Sequence, residues 1–335
     1  MNKKLIAQLE KAGFNGFFLA LILMVVLGWL FPFYGTEHSP IPFSSITTYG
    51  VSLIFFFYGV KLSPAQLKEG LSNWKLHMLI QSTTFVFFPL VVLAFSFLLD
   101  GEYELLWLGT FYLAALPSTV SSSVVMVSIA GGNLPAAIFN ASISSIIGVF
   151  ITPLWMSSFI DETGGAADLN DVVIKLCLQV LVPVILGFSL HKWLGNWASR
   201  FKNELRYFDQ FIILLIVYTA FAESFYGNMF RNHSLIEIIL LGMLMLGFFL
   251  VMVAFMNLLS NLLKFSREDR ITIIFCGSKK SLVQGAVMGK VLFPDPRALG
   301  VILLPLMLYH ALQLLAGSAI AQRLAAQDKA IRERV

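Results

Sequence analysis

Two adjacent lysines, Lys279 and Lys280, stand inside an apolar run, in Cys276-Gly277-Ser278-Lys279-Lys280-Ser281-Leu282-Val283-Gln284-Gly285. A lysine at the centre of a bilayer costs about 2.5–3.5 kcal/mol on insertion scales. Packing alone does not account for two of them. The chemistry open to them is that of an internal cation, an anion-binding group or a proton carrier. The competing structural explanation is that one lysine snorkels to the cytoplasmic end or pairs with an internal carboxylate. Neighbouring residues point about 100° apart on a helix, so the two lysines need not share a role. A second cluster is Leu116-Pro117-Ser118-Thr119-Val120-Ser121-Ser122-Ser123. Its hydroxyls, with the carbonyls of an unwound helix, are hard oxygen ligands suited to Na⁺ or to an ammonium. Helix packing and local backbone bonding are the other uses of such serines. Ser281, Gln284, Thr84, Asn140, His310 and Gln313 are further polar residues within apolar runs. Glu223 is the one clear carboxylate in such a run, near its outer end, where an interfacial position competes with a substrate or proton role.

The elements that must position these residues are membrane helices. Hydrophobic residues make up 58% of the 335 and charged residues 13%, against about 25% charged in a soluble domain. Apolar runs long enough to cross a hydrocarbon core of about 30 Å recur along the chain. This excludes soluble enzyme folds. Ten spans are expected, at about 14–33, 43–61, 76–98, 105–130, 134–159, 171–190, 208–226, 235–263, 271–293 and 298–322. The first begins after Lys3, Lys4 and Lys11 and lacks a small-residue cleavage site, so it reads as a retained helix.

The net charge of +4 is a matter of topology rather than of nucleic-acid binding. With ten spans, nearly all loop Lys and Arg fall on the side of the N-terminus, and only Arg231 and Arg297 fall on the other. The other side carries Glu37, Asp100, Glu102, Asp161 and Asp168 among its acids. The positive-inside rule then puts both termini in the cytoplasm. The expected location is the plasma membrane, in a bacterium the inner membrane, crossed many times.

Gly148-Val149-Phe150-Ile151-Thr152-Pro153-Leu154 in span five matches Gly300-Val301-Ile302-Leu303-Leu304-Pro305-Leu306 in span ten. The match reads as two five-span halves, residues 1–160 and 161–335, and an odd number per half makes the second inverted. Chance use of Gly and Pro in packed helices is the alternative. Spans four and nine, just before the matched segments, each carry a breaker (Pro117, Gly277) beside a polar cluster. Corresponding interruptions in two halves are the best sequence pointer to a transporter site.

Other motifs are absent or weak. No two histidines stand at i, i+4, so no metal site is expected. Cys177 and Cys276 lie in apolar runs and imply no disulfide framework. Gly285-x-x-x-Gly289-Lys290 is one residue short of a P-loop spacing and reads as a small-residue packing face. Asn232-His233-Ser234 is a weak glycan-acceptor triplet.

Phe275-Cys276-Gly277-Ser278-Lys279-Lys280-Ser281-Leu282, Tyr218-Thr219-Ala220-Phe221 and Phe57-Tyr58-Gly59-Val60-Lys61-Leu62-Ser63, with the ten spans, resemble the bile acid:sodium symporter superfamily. Within it, they look like the bacterial branch related to the seventh member of vertebrate solute carrier family 10. The resemblance extends over nearly the whole chain. It implies an all-α membrane protein of ten helices in two inverted five-helix repeats. A core domain would hold helices 3–5 and 8–10, a panel domain helices 1, 2, 6 and 7, and broken helices 4 and 9 would cross at the substrate cleft. In sodium-coupled members a Ser-Asn pair on helix four falls on Ser122 and Ser123 here. A helix-five Thr falls on Asn140, and a helix-three Gln falls on Thr84, ahead of Pro89. The helix-nine Glu falls on Phe275 and the Gln on Lys279. The carboxylate ligand is thus replaced and a fixed cation added, so Lys279 is expected in the volume of the ion.

The expected function is that of a secondary transporter moving an organic anion by alternating access at the helix 4/9 crossover. Substrate contacts are expected from Lys280, Ser281, Gln284, Glu223, His310 and Gln313. The ion-site equivalents are Lys279, Phe275, Ser122, Ser123, Asn140 and Thr84. No cofactor is expected, and the changes on helix nine argue against Na⁺ coupling. Expected partners are a small-molecule or organic-anion substrate and the lipid bilayer, with no nucleic acid. The alternative is a non-transporting membrane regulator of calcium homeostasis, to which the vertebrate relatives of this branch are linked. A third, minor reading is a Ser–Lys hydrolase using Ser281 or Ser278.

Overall fold

The computed structural model describes residues 16–61, 73–95, 104–119, 121–159, 174, 177–231, 234–293 and 295–332. The N-terminal lysines, the 161–171 loop and the Asn232-His233 pair lie outside them. Every regular element among the described residues is helical. Apart from the short helix Pro32–Gly35 and a π segment at Cys177–Leu181, they are in chain order α1 Gly16–Leu30, α2 Phe43–Lys61, α3 Trp74–Ala94, α4 Glu104–Ala115, α5 Ser121–Ala130 and α6 Leu134–Met156. After these come α7 Val182–Ser189, α8 His191–Arg200, α9 Lys202–Tyr226, α10 Leu235–Leu262, α11 Arg267–Gly277, α12 Leu282–Leu292 and α13 Pro296–Arg332.

Six of these helices, α2, α3, α6, α9, α10 and α13, are long and apolar enough to cross a membrane. A seventh crossing exists if Leu178–Ser189 and His191–Arg200, bent by 95°, count as one span. Two of the ten expected spans fall short for a physical reason. At about 1.5 Å per residue, a helix of 10–12 residues covers only half of a hydrocarbon core. Expected span four is two such pieces, α4 and α5, and expected span nine is another two, α11 and α12. The stretch after span six, expected as a loop, is the amphipathic helix α8. It exposes Trp193 and Trp197 and buries Gly195 and Ala198, the pattern of a helix lying in a membrane interface. Helix α9 accordingly starts at Lys202, earlier than expected.

Helix α13 packs against α4, α5, α9, α10 and α12. Its Leu299, Ile302, Leu303, Leu306 and Tyr309 join Phe111, Tyr112, Phe221 and Phe249 in the largest buried apolar cluster. Helix α10 leaves Leu240, Leu244, Val251 and Leu258 exposed, a face suited to lipid. Helices α2 and α7 approach closely: a Cβ on Gly59 would overlap the Val184 carbonyl, and one on Gly187 the Phe56 carbonyl. Small residues permit such backbone contact in membranes.

Helix α3 widens to a π segment over Thr83–Phe87, just ahead of Pro89. Proline offers no N–H and crowds the turn before it. The Phe88 N–H reaches the Thr83 carbonyl in this wider register. By the same register the Thr84 carbonyl faces position 89 and finds no donor there. In ordinary α register the Phe85 carbonyl would meet the same lack. Both carbonyls are served from outside the helix. The Trp155 Nε1 donates to Phe85 O at 2.7 Å, and a lysine reaches Thr84 O.

Candidate functional site

The two breaks, Leu116–Thr119 and Ser278–Ser281, touch: the Ser281 N–H donates to the Pro117 carbonyl at 2.9 Å. Unwound backbone at mid-membrane must find partners or line a cavity, and here the partners can be named. The Ser118 N–H leaves the helix for Ser144 Oγ at 3.0 Å, which frees the Ala114 carbonyl. The Ala115 carbonyl accepts from Thr152 Oγ1 at 2.8 Å. On the other break, the Ser278 carbonyl accepts from Tyr309 Oη at 2.6 Å. Gln313 grips the Lys280 peptide on both sides: its Oε1 accepts from Lys280 N at 2.9 Å and its Nε2 donates to Lys280 O at 2.8 Å. His310 Nδ1 lies 3.0 Å from Gln313 Nε2.

Lys280 is fully buried. Its Nζ donates to the carbonyls of Thr84, Ala114 and Leu116 at 2.8, 2.7 and 2.9 Å. It also sits 4.1 Å from the centre of the Phe88 ring. An ammonium has three N–H donors, and all three are used. Thr84 Oγ1 is buried with no hydrogen-bond partner among the described residues.

Lys279, also fully buried, turns the other way. Its Nζ lies 3.3 Å from the Ser122 carbonyl, 2.6 Å from Met126 Sδ and 5.8 Å from the Phe275 ring centre. Ser123 Oγ donates to the Phe275 carbonyl at 3.1 Å. Ser122 Oγ and Ser123 Oγ each lie 2.8 Å from Thr119 Oγ1. Ser281 Oγ caps α12 by accepting from Gln284 N at 3.3 Å. Gln284 Nε2 reaches Ser145 O at 3.4 Å, while its Oε1 is buried without a partner among the described residues.

Ten of the twelve expected site residues therefore cluster around the breaks. Asn140 and Glu223 stand apart. Asn140 bonds His77 Nδ1 at 2.8 Å and accepts from Gln81 Nε2 at 3.1 Å, in a separate polar link between α3 and α6. Glu223 lines a cleft of about 350 Å³ at the end of the bundle that carries the 31–42 connection. That cleft is walled by Thr219 and Glu223 of α9, by Glu37, Ser39 and Ser44 before and in α2, by Lys290 of α12 and by Leu299 of α13. The Glu37 N–H donates to Glu223 Oε1 at 2.7 Å. Glu37, Glu223 and Lys290 line this one cleft.

Lys290 is the principal residue that sequence reasoning left out. Its signal was present, a lysine ending the Gly285-x-x-x-Gly289 face. The packing half of that reading stands: a Cβ on Gly285 would meet Leu306 and Leu116, and one on Gly289 would lie 3.3 Å from Leu299. Trp155 and Thr152, which serve freed carbonyls, gave no such signal. The donors that answer a proline depend on tertiary contact. The repeated glycines differ in use: Gly148 packs on the Pro117 ring, whereas Gly300 packs on α9 at Ala220 and Ser224.

The sequence profile of the SBF-like CPA transporter family matches residues 15–326. Protein PA2026 of Pseudomonas aeruginosa is 42% identical over 314 residues, covering 93% of each chain. YfeH of Escherichia coli, which carries a symporter designation, is 38% identical over 311 residues and 92% of each chain. Sodium/bile acid cotransporter 7 of Danio rerio is 32% identical over 326 residues and 94% of each chain. These relatives set aside the hydrolase reading. Residues 15–326 match along their length a family of transporters, not enzymes, and this chain belongs to it: it is a multi-pass membrane protein of the SBF-like CPA transporter family.

Proposed function

We propose that this protein is a secondary transporter that moves a small organic anion by alternating access, with the cleft at Glu223 and Lys290 as its outer entrance. The observation that carries this reading is the position of that cleft. One wall is the α1–α2 connection and α9, and the other is the ends of α12 and α13. These walls belong to the panel and core groups implied by the resemblance, so a shift of one against the other would open or close it. The reading includes ten spans in two inverted halves, with the junction of the two breaks as the crossover. The charge distribution supports cytoplasmic termini and an outward-facing cleft. The inner membrane of a bacterium is the proposed location.

Both lysines of the Lys279-Lys280 pair are buried and engaged with protein groups, so the cation available to an incoming anion is Lys290. Glu223 and Glu37 line the same cleft, which favours an anion that also carries a donor or an ammonium. Coupling to sodium is not part of the proposal, since Phe275 and Lys279 replace two ligand positions of the sodium-coupled relatives. Uptake into proteoliposomes tests the reading, with a panel of small carboxylates and amino-carboxylates in sodium, potassium and choline buffers. Saturable uptake of one of them, blocked by a bulky adduct on a cysteine placed at Ser39, is the expected result. Absence of uptake of every panel member, with the protein folded and inserted, counts against it.

A further inference from the structure

We propose that the Lys280 ammonium is a tethered cation filling a monovalent-cation site, and that removing the side chain turns this place into a site for a free cation. The argument starts from the backbone. Pro89 leaves the Thr84 carbonyl without an N–H partner, and the break at Pro117 frees those of Ala114 and Leu116. The last two lie at the C-terminal end of α4, where the helix dipole favours positive charge. Three converging carbonyls are the ligand type that unwound membrane helices present to monovalent cations. Here all three are occupied by Lys280 Nζ, at 2.8, 2.7 and 2.9 Å. The Phe88 face, 4.1 Å away, completes a cation-binding wall. Thr84 Oγ1, fully buried and unpartnered among the described residues, belongs to the residue that supplies one of the three carbonyls. The Lys280 backbone is fixed by Gln313 from both sides, so the ammonium is held in place rather than free to leave. Lys279 does not share this role. Its polar neighbours are one carbonyl and a thioether sulfur, a poor set for a hard cation.

The inference is independent of the substrate and of transport, and so is its test. The full chain is purified in detergent, and its melting temperature is measured in sodium, potassium, ammonium and choline chloride at equal ionic strength. The wild type should melt at one temperature in all four. Lys280→Ala, which empties the cage, should melt lower in choline and recover by several degrees, saturably, in at least one of the small cations. Lys280→Met, which fills the same volume without charge, should gain no such response. A wild type already stabilised by sodium or potassium over choline would overturn the proposal whatever the variants do. A folded Lys280→Ala protein indifferent to all four salts would overturn it as well.

Discussion

The junction of the breaks and the Glu223–Lys290 cleft are both polar places in an apolar chain, and they treat their charges in opposite ways. At the junction, the Lys280 ammonium spends all its donors on backbone carbonyls, and the Lys280 peptide spends its own groups on Gln313. The backbone groups and the ammonium there are spent on each other, and side-chain oxygens such as Thr84 Oγ1 and Gln284 Oε1 are what stays without a partner among the described residues. In the cleft, Glu223 keeps one oxygen outside its bond to Glu37, and Lys290 sits among carboxylates in a space of about 350 Å³. A buried polar group without a partner costs about 1–3 kcal/mol, so the sealed junction answers to stability. The open cleft, where water can serve the same groups, is the place proposed for recognition. Two equally improbable lysines in one sequence can therefore have unrelated tasks.

Gln313→Leu gives the largest expected effect on this contrast. It removes two hydrogen bonds and leaves both the N–H and the carbonyl of Lys280 buried without partners. The expected loss of stability is about 2–4 kcal/mol, read as a lower melting temperature with any substrate or none. If the Gln313→Leu protein melts like the wild type but fails to transport, the assignment reverses and the junction becomes the recognition site.

Much of this architecture was legible beforehand, and the misses share a cause. Pro117 and Gly277 are local breakers, so both interruptions could be located from the chain alone. The polar residues around them identified the junction without showing how it is satisfied. Whether Lys280 or Lys279 meets the carbonyls depends on which way each side chain leaves an unwound turn, and no periodicity fixes that. The π segment ahead of Pro89 is a tertiary outcome, stable because Trp155 and Lys280 arrive from other helices. The cleft escaped notice because its residues come from four separate stretches, each ordinary by itself. Glu223 was picked out by its charge. Lys290, next to a glycine packing face, carries no motif that places it at a site.

Lys290→Met comes second in size. The side chain keeps its length and loses its charge, and it is half-buried on the wall of the cleft, so stability should change by less than about 1 kcal/mol. Uptake of an anionic substrate should fall about tenfold, the effect of about 1.4 kcal/mol in binding. The fall should appear in the concentration for half-maximal uptake. An unchanged half-saturation would remove Lys290 from the recognition site and leave the cleft as an entrance only.

Glu223→Gln is the smallest change and the most discriminating. The new amide retains an oxygen to accept the Glu37 N–H, so the α9 contact to the 31–42 connection survives and the fold should not shift. What changes is one negative charge in the cleft shared with Lys290. For a purely anionic substrate that charge is repulsive, and its loss should strengthen uptake about threefold or more, since Glu223 is buried and Lys290 half-buried and their charges are screened less than those of a surface pair. For a substrate that carries an ammonium beside its carboxylate, the same loss should weaken uptake by a similar factor. The effect should shrink in high salt, because the cleft is open to solvent and its charges are screened. Initial rates for a matched pair, a carboxylate and its amino-carboxylate analogue, measured at two ionic strengths, separate the cases. Equal effects on both members of the pair would mean that Glu223 shapes the cleft through its bond to Glu37 and does not read the charge of the substrate.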